Sequence, residues 1–312
     1  MDQTADILIV GGGVIGLSIA YELAGQGSAV IVLEQGQFGR EASWAGAGIL
    51  PPGNPEGAAD PAARLRAHSH ILWPRLSAEL RESTGIDNGY RVSGGLEVLP
   101  HGGVASQLTS EIEAWRSEGV AVEELSTAEL RECEPALNPS ITAAYRLPGM
   151  SQVRNPRHLK ALVAGCAARG VRLVAGQPVI GFDRREQRIA AVRTPTGTFA
   201  AAKFCVAGGA WSRQVLATVG CEIAVEPVRG QIILLSCQPL PFRHIINCGP
   251  RYLVPRPDGR ILVGSTEEHV GFEKQNTAGA ISGLLEFAVD LVPALAKARF
   301  EQAWSGLRPG SA

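Results

Sequence analysis

An excess of charge of either sign is missing from this sequence. Lys and Arg number 29 against 30 Asp and Glu, a net charge of −1. Nothing in that balance points to nucleic acid as a partner or to a basic face for a membrane surface. Paired cysteines are missing too. The six cysteines (133, 166, 205, 221, 237 and 248) contain no C-x-x-C. That argues for free thiols in a reducing compartment, the cytoplasm, and against a disulfide framework or a metal cluster. The closest histidines, His68 and His70, stand two apart and would face different sides of a helix; they read as solvated surface. There is no internal repeat and no low-complexity run. Residues 7–21 are almost free of polar side chains, but no Lys or Arg precedes them, three adjacent glycines interrupt them and Glu22 follows. The flanking charge is wrong for a signal peptide and the stretch is short for a membrane span. What the chain does have is 45% hydrophobic residues over 312 positions, enough for a sizeable core in two domains or one large one.

The first thirty-five residues organise the rest. Asp6-Ile-Leu-Ile-Val10 predicts a buried strand, Gly11-Gly-Gly-Val-Ile-Gly16 follows at once, residues 17–24 predict a helix, and 29–33 a second strand ending on Glu34. Strand, Gly-x-Gly-x-x-Gly, helix, strand and acid form the dinucleotide fingerprint in its required context. Gly11 permits the tight turn, Gly13 lets a pyrophosphate approach the backbone, and Gly16 lets the helix lie close on the sheet. The free N–H groups at the helix start then face the phosphates. Glu34 is placed to accept hydrogen bonds from a ribose, and its charge disfavours a 2′-phosphate.

Farther on, residues 42–49 concentrate small side chains, which lets something flat and wide come close. Residues 61–83 predict a helix with Leu65, Leu72, Leu76 and Leu80 on one broad face and a kink at Pro74. Residues 90–99 predict a strand pair or a bulged strand around Gly94-Gly95, and 104–118 and 127–133 predict helices. Asn155 is expected to cap the next helix, with Pro156 in its first turn and Leu159, Leu162, Val163 and Cys166 inward. Residues 171–174 return as a strand to the dinucleotide sheet. Segments 178–182, 188–194 and 198–203 form a small meander, and 204–212 a buried strand ending in small residues beside the cofactor. Segments 225–236 and 251–265 are strand-rich, with Pro257-Asp-Gly259 as a hairpin turn, and 277–297 predicts an amphipathic helix. The expectation is an α/β protein. A Rossmann-like dinucleotide domain (1–85 and 151–224, plus 304–312) carries an inserted strand-rich α+β substrate domain (86–150 and 225–303).

Six segments together resemble the D-amino-acid oxidase-like flavoproteins, most closely the glycine oxidases of the thiamine pathway. They are Ile9-Val-Gly-Gly-Gly-Val-Ile-Gly16, Ala42-Ser-Trp-Ala-Gly-Ala-Gly-Ile49, Val206-Ala-Gly-Gly-Ala-Trp-Ser212, Pro227-Val-Arg-Gly-Gln231, Tyr252-Leu-Val-Pro-Arg256 and Trp304-Ser-Gly-Leu-Arg-Pro309. The resemblance implies non-covalent FAD. Val14, Ile15, Glu34 and Gln35 would hold the ADP half. Ala42, Ser43, Ala47, Gly48 and Ile49 would follow the pyrophosphate and flavin, and the Val179 backbone would meet the adenine side. Arg308 and Tyr252 would bind the carboxylate of a small amino-acid substrate, by a guanidinium fork and a phenol. No acid–base side chain is implied, and dioxygen is the implied acceptor. Glu267 stands where glycine oxidases often have an apolar residue. It would either meet the substrate amine or remain a solvated loop carboxylate.

Family members continue past the Leu-Arg-Pro motif with a strand and a Gly-rich segment reaching the flavin, so weak FAD retention is expected of this chain. Three other readings stay open. They are a quinone-coupled D-amino-acid dehydrogenase, a nicotinamide dehydrogenase resting on the fingerprint alone, and a non-catalytic protein that kept the fold. A homo-oligomer is also open, since pattern assigns no interface.

Overall fold

A computed structural model describes residues 4–99 and 105–311. Its first sheet runs Gly181–Arg185, Arg188–Thr194, Gly197–Val206, Thr4–Val10, Val30–Leu33, Arg172–Val174 in spatial order. The last four of these pair parallel, and the first two add the antiparallel meander. Period-two alternation decides how the first strand is buried. Ile9 joins Val30 and Val32 under the helices Val14–Gly25, Pro61–Thr84 and Asn155–Ala168. Leu8 and Val10 face the other way, onto Ile31, Leu33, Phe182, Val192 and Phe199. This sandwich of helices, sheet and meander holds the fingerprint turn at the carboxyl ends of the parallel strands, where ligands of such sheets bind.

The second sheet has eight strands among the described residues, ordered Arg299–Ser311, Val225–Ser236, Arg260–Gly264, Arg251–Pro255, Ile245–Cys248, Gly95–Val98, Ala144–Leu147, Glu123–Leu125. One face packs on the helix Ala278–Leu291 through Ile233, Val263, Leu284 and Ala288. The other face turns Ile232, Leu234, Val254 and Leu262 toward Ala47, and so toward the small-residue segment. A three-stranded patch of Ile49–Leu50, Ser151–Gln152 and Arg91–Val92 stitches the two halves together. The closing strand Arg299–Ser311 pairs along the whole of Val225–Ser236, so Trp304 and Arg308 belong to the second sheet by hydrogen bonding.

Several local expectations are corrected. The helix Pro61–Thr84 forms, with Asp60 capping it and Pro74 inside it. Its buried positions are Ala67, Ser77 and Leu80, while Leu65 and Leu72 are 74% and 56% exposed. The neighbouring helix Asn155–Ala168 accepts only a narrow stripe, and a leucine outside that stripe stays in water. Residues 90–99 give two short strands in different sheets, Arg91–Val92 and Gly95–Val98, rather than one pair. The helix Ala105–Ser117 is present; its expected start at Val104 lies outside the described residues. Residues 277–297 split at Val292 into a helix and a short 3-10 turn, Pro293–Lys297, because Pro293 cannot continue an α-helical hydrogen-bond ladder. His70, expected on the solvated surface, is half-buried, and its Nδ1 is sealed off without a partner. Burial, then the charge of Arg66, pulls its pKa below the usual histidine value.

Candidate active site

The fingerprint turn opens on a cavity of ≈ 400 Å³. Gly11, Gly13, Val14, Ile15, Glu34, Gln35, Ala42, Ser43 and Val179, all expected there, line it. Gly11 has φ +111°, and a Cβ there would lie 2.3 Å from the Ala207 carbonyl oxygen; only glycine fits. Gly16 does not line the cavity. A Cβ on it would meet the Gly11 carbonyl oxygen at 1.9 Å, so it sets how closely the helix approaches the turn. The Val14 N–H, at the positive end of that helix, is donated to Ser43 Oγ at 2.9 Å. The segment after the strand Gly197–Val206 closes the cavity with Ala207, Gly208 and Trp211, and Leu307 and Pro309 reach it from the last strand.

Glu34 is buried, and its carboxylate organises the turn around it. Oε2 accepts from Gly12 N–H and Oε1 from Gly36 N–H, both at 2.8 Å. Each oxygen keeps a second lone pair for a ribose hydroxyl. Charge-assisted hydrogen bonds are worth roughly 1.5–3 kcal/mol, so Glu34→Ala is expected to weaken FAD binding about ten- to a hundred-fold in a fluorescence titration. Glu34→Gln should rescue little, because its amide nitrogen would have to face a backbone N–H. An affinity unchanged by Glu34→Ala would place the ribose elsewhere.

A second cavity of ≈ 600 Å³ begins where the first ends, sharing Val14 and Ser43 with it. Ala47, Gly48 and Ile49 form one wall; Tyr252, Arg308 and Glu267 stand on the strand-rich side. Arg308 is half-buried, and its Nη2 donates to Ser265 Oγ at 2.6 Å and to the Thr266 carbonyl at 3.1 Å. Its Nε and Nη1 have no partner among the described residues. The side chain lies across Gly230, where a Cβ would come within 2.5 Å of Nη2. This explains the glycine in Pro-Val-Arg-Gly-Gln. Burial raises the pKa of Tyr252, and Ser265 and the Arg308 charge only moderate that. The phenol therefore stays protonated and able to donate. Glu267 is exposed at the edge of the cavity.

These cavities and residues can be set beside known proteins. The DAO family, described as FAD dependent oxidoreductase, matches residues 6–312. This chain belongs to that family. Its cofactor is FAD, and it is an oxidoreductase on the fold that the sequence predicted. Glycine oxidase of Pseudomonas putida is 39% identical over 99% of this chain and 84% of its own length. Glycine oxidase of Geobacillus kaustophilus is 35% identical over 99% of this chain and 82% of its own length. The crystal structure of the Geobacillus kaustophilus enzyme superposes with a TM-score of 0.93, at 33% identity, covering 99% of this chain and 84% of that one.

The DAO-family cofactor fits the residues present. The two cavities meet at Val14 and Ser43, and their walls carry glycines, Gly11 and Gly48, at which a Cβ would collide with backbone oxygen at 2.3 and 2.1 Å. Sequence reasoning missed the groups that stiffen the small-residue segment. Asn155, expected as a helix cap, instead donates its amide to the Ser43 carbonyl at 2.8 Å, and Arg154 occupies the cap position. Trp304 Nε1 donates to the Ala45 carbonyl at 2.9 Å. Arg256 is buried, and donates to the Ala47 carbonyl and to Gln152 Oε1, each at 2.6 Å. Burial first, then Arg154 and Arg91, pulls its pKa down to about 10, so it remains charged at neutral pH.

Beneath Arg308, Glu268 ties Arg229, Gln231 and Thr266 together. Burial opposes its charge, but hydrogen bonds from Thr266, Arg229 and Gln231 outweigh burial and hold the carboxyl below its usual range. The only advance signal for this network was the family segment Pro227-Val-Arg-Gly-Gln231. No helix among the described residues is long and apolar enough to cross a membrane.

Proposed function

We propose that this protein oxidises glycine or another small amino acid or amine to the imine, which hydrolyses to the oxo acid and ammonia. Residues 1–85 and 151–224 carry the cofactor, and 86–150 and 225–303 carry the substrate. Residues 304–312 lend Leu307 and Pro309 to the cofactor cavity. The observation that carries this reading is the second cavity. It continues directly from the cofactor cavity and presents the free Nε and Nη1 of Arg308 beside a protonated Tyr252 phenol. The unpaired donors of the guanidinium bind a carboxylate through charge-assisted hydrogen bonds, and the phenol supplies a further bond.

Bound FAD would supply the two-electron acceptor, with dioxygen as the terminal oxidant and hydrogen peroxide as the product. The chain's own residues orient and desolvate. Arg308 and Tyr252 fix the carboxylate, Ser265 and Thr266 fix Arg308, and the wall at 47–49 sets the distance of the α-carbon from the cofactor. No side chain is assigned as acid or base. Oxidation uses the lone pair of a neutral amine, and a carboxylate close to it would favour the ammonium instead. Glu267, exposed and hydrated, leaves that balance nearly untouched while attracting the zwitterion's positive end to the entrance.

The test is an absorption spectrum of protein with added FAD, before and after anaerobic glycine. Bleached flavin bands are the expected result, and oxygen uptake with equivalent peroxide on admitting air identifies the acceptor. Bands that persist through glycine and other small amino acids would overturn the substrate class. Bleaching without oxygen uptake would favour a quinone-coupled dehydrogenase.

A further inference from the structure

His158 lies on the helix Asn155–Ala168, is 3% exposed, and lines the second cavity. Its tautomer is set by its neighbours. Asn88 Oδ1 accepts from Tyr90 N–H at 3.0 Å, so the other arm of that amide is the nitrogen. Asn88 Nδ2 donates to Ser77 Oγ at 3.1 Å and meets His158 Nδ1 at 3.2 Å. A nitrogen that receives an N–H must carry the lone pair, so His158 Nδ1 accepts and Nε2 bears the hydrogen. The ring is held in that orientation by Trp73, 4.7 Å away between centroids. Burial pushes the imidazole pKa down to about 4, so the ring is neutral at any working pH.

Nε2–H has no partner among the described residues. Only two side-chain nitrogens there are both sealed from solvent and unbonded, His70 Nδ1 and Trp115 Nε1. His158 Nε2 is not one of them, so it is the polar atom by which the ring opens on the cavity. A nearly buried donor with a fixed hydrogen, facing a cavity and left unbonded by the protein, is built for an acceptor on whatever fills that cavity.

We propose that His158 is a positioning residue for the cofactor, its Nε2–H donating to an acceptor atom of the flavin ring system. This rests on the reading that FAD extends from the first cavity into the second. The acceptor is assigned to the cofactor rather than the substrate by its side of the cavity. His158 shares its helix with Asn155, which holds the Ser43 carbonyl, and Ser43 borders both cavities. Arg308 and Tyr252 stand on the strand-rich side.

His158→Phe keeps a ring against Trp73 and removes the donor; His158→Gln restores a donor near the Nε2 position. Titration with FAD is expected to show a Kd raised about three- to ten-fold for His158→Phe, with displaced flavin absorption bands. His158→Gln should recover much of both. Because the donor is neutral, the wild-type to His158→Phe ratio of Kd should be flat between pH 6 and 8. Unchanged Kd and bands in His158→Phe would overturn the proposal. So would a lower melting temperature with unchanged bands, which would mark the ring as structural only. Wild-type protein that binds no added FAD would overturn the placement of the cofactor itself, an outcome distinct from the first two.

Discussion

Arg308→Leu is expected to lower kcat/KM for the amino-acid substrate by on the order of 10²–10³ while leaving FAD affinity within about two-fold. Truncating one partner of a desolvated, hydrogen-bonded charge pair costs about 2–5 kcal/mol. Here the loss would also strand Ser265 Oγ and the Thr266 carbonyl, both of which Arg308 now satisfies. Arg308→Lys separates charge from geometry. An ammonium keeps the attraction but lacks the rigid fork, so only about a ten-fold recovery is expected. Gly230→Ala approaches the same site from below. The new methyl would lie 2.9 Å from Arg308 Cζ, and the flexible side chain gives way more readily than the sheet. The protein should fold, with its guanidinium displaced and its KM raised. Steady-state kinetics with KM and kcat separated check all three. An Arg308→Leu enzyme with unaltered kcat/KM would place the carboxylate elsewhere.

Stability is expected to fall as pH rises from 5 to 8, and Glu97→Gln is expected to abolish most of that fall. Glu97 is 5% exposed in the interior strand Gly95–Val98. Its carboxylate accepts one hydrogen bond among the described residues, from Asn247 Nδ2 at 2.6 Å to Oε1. Burial pushes its pKa up to about 7; the Asn247 bond resists this and the charge of Glu111 reinforces it. A group whose folded pKa lies above its unfolded value stabilises fully below the unfolded pKa, and that stability is lost as pH rises through the folded one. For Glu97 the window runs from about pH 4.5 to 7. A shift of that size corresponds to about 3 kcal/mol, at about 1.4 kcal/mol per unit. At pH 5 the two proteins should have nearly equal urea midpoints. At pH 8 Glu97→Gln should be the more stable by about 2–3 kcal/mol. Equal pH slopes in wild type and variant would show that the carboxyl ionises in the fold without cost.

The features legible in advance are those in which neighbours in sequence are also neighbours in space. Strand, glycine turn, helix, strand and Glu34 lie within thirty-one consecutive positions from Thr4, and each contact among them is local to one βαβ unit. The meander and the Pro257-Asp-Gly259 hairpin were legible for the same reason. The helix Pro61–Thr84 shows where this kind of reading ends. Its length, cap and Pro74 were visible, yet its buried face depended on a partner helix about ninety residues away, and two of four expected inward leucines are in water. Asn155 carried a capping signal, but a carbonyl 112 positions earlier took its amide.

By itself, then, the sequence determined the cofactor-binding turn, the identity of the carboxylate that organises it, the candidates for substrate recognition and the family to which they belong. These rest on residue chemistry and short spacing, which survive without knowledge of packing. Only the tertiary structure decided what holds the small-residue wall in place. The Ala45 and Ala47 carbonyls are held by Trp304 and Arg256, from 259 and 209 positions away. It also decided which buried groups are charged and which are neutral. Glu97 and His158 look like ordinary polar residues in the chain, and only enclosure by distant segments removes the water that would otherwise keep one ionised and the other titrating near neutrality.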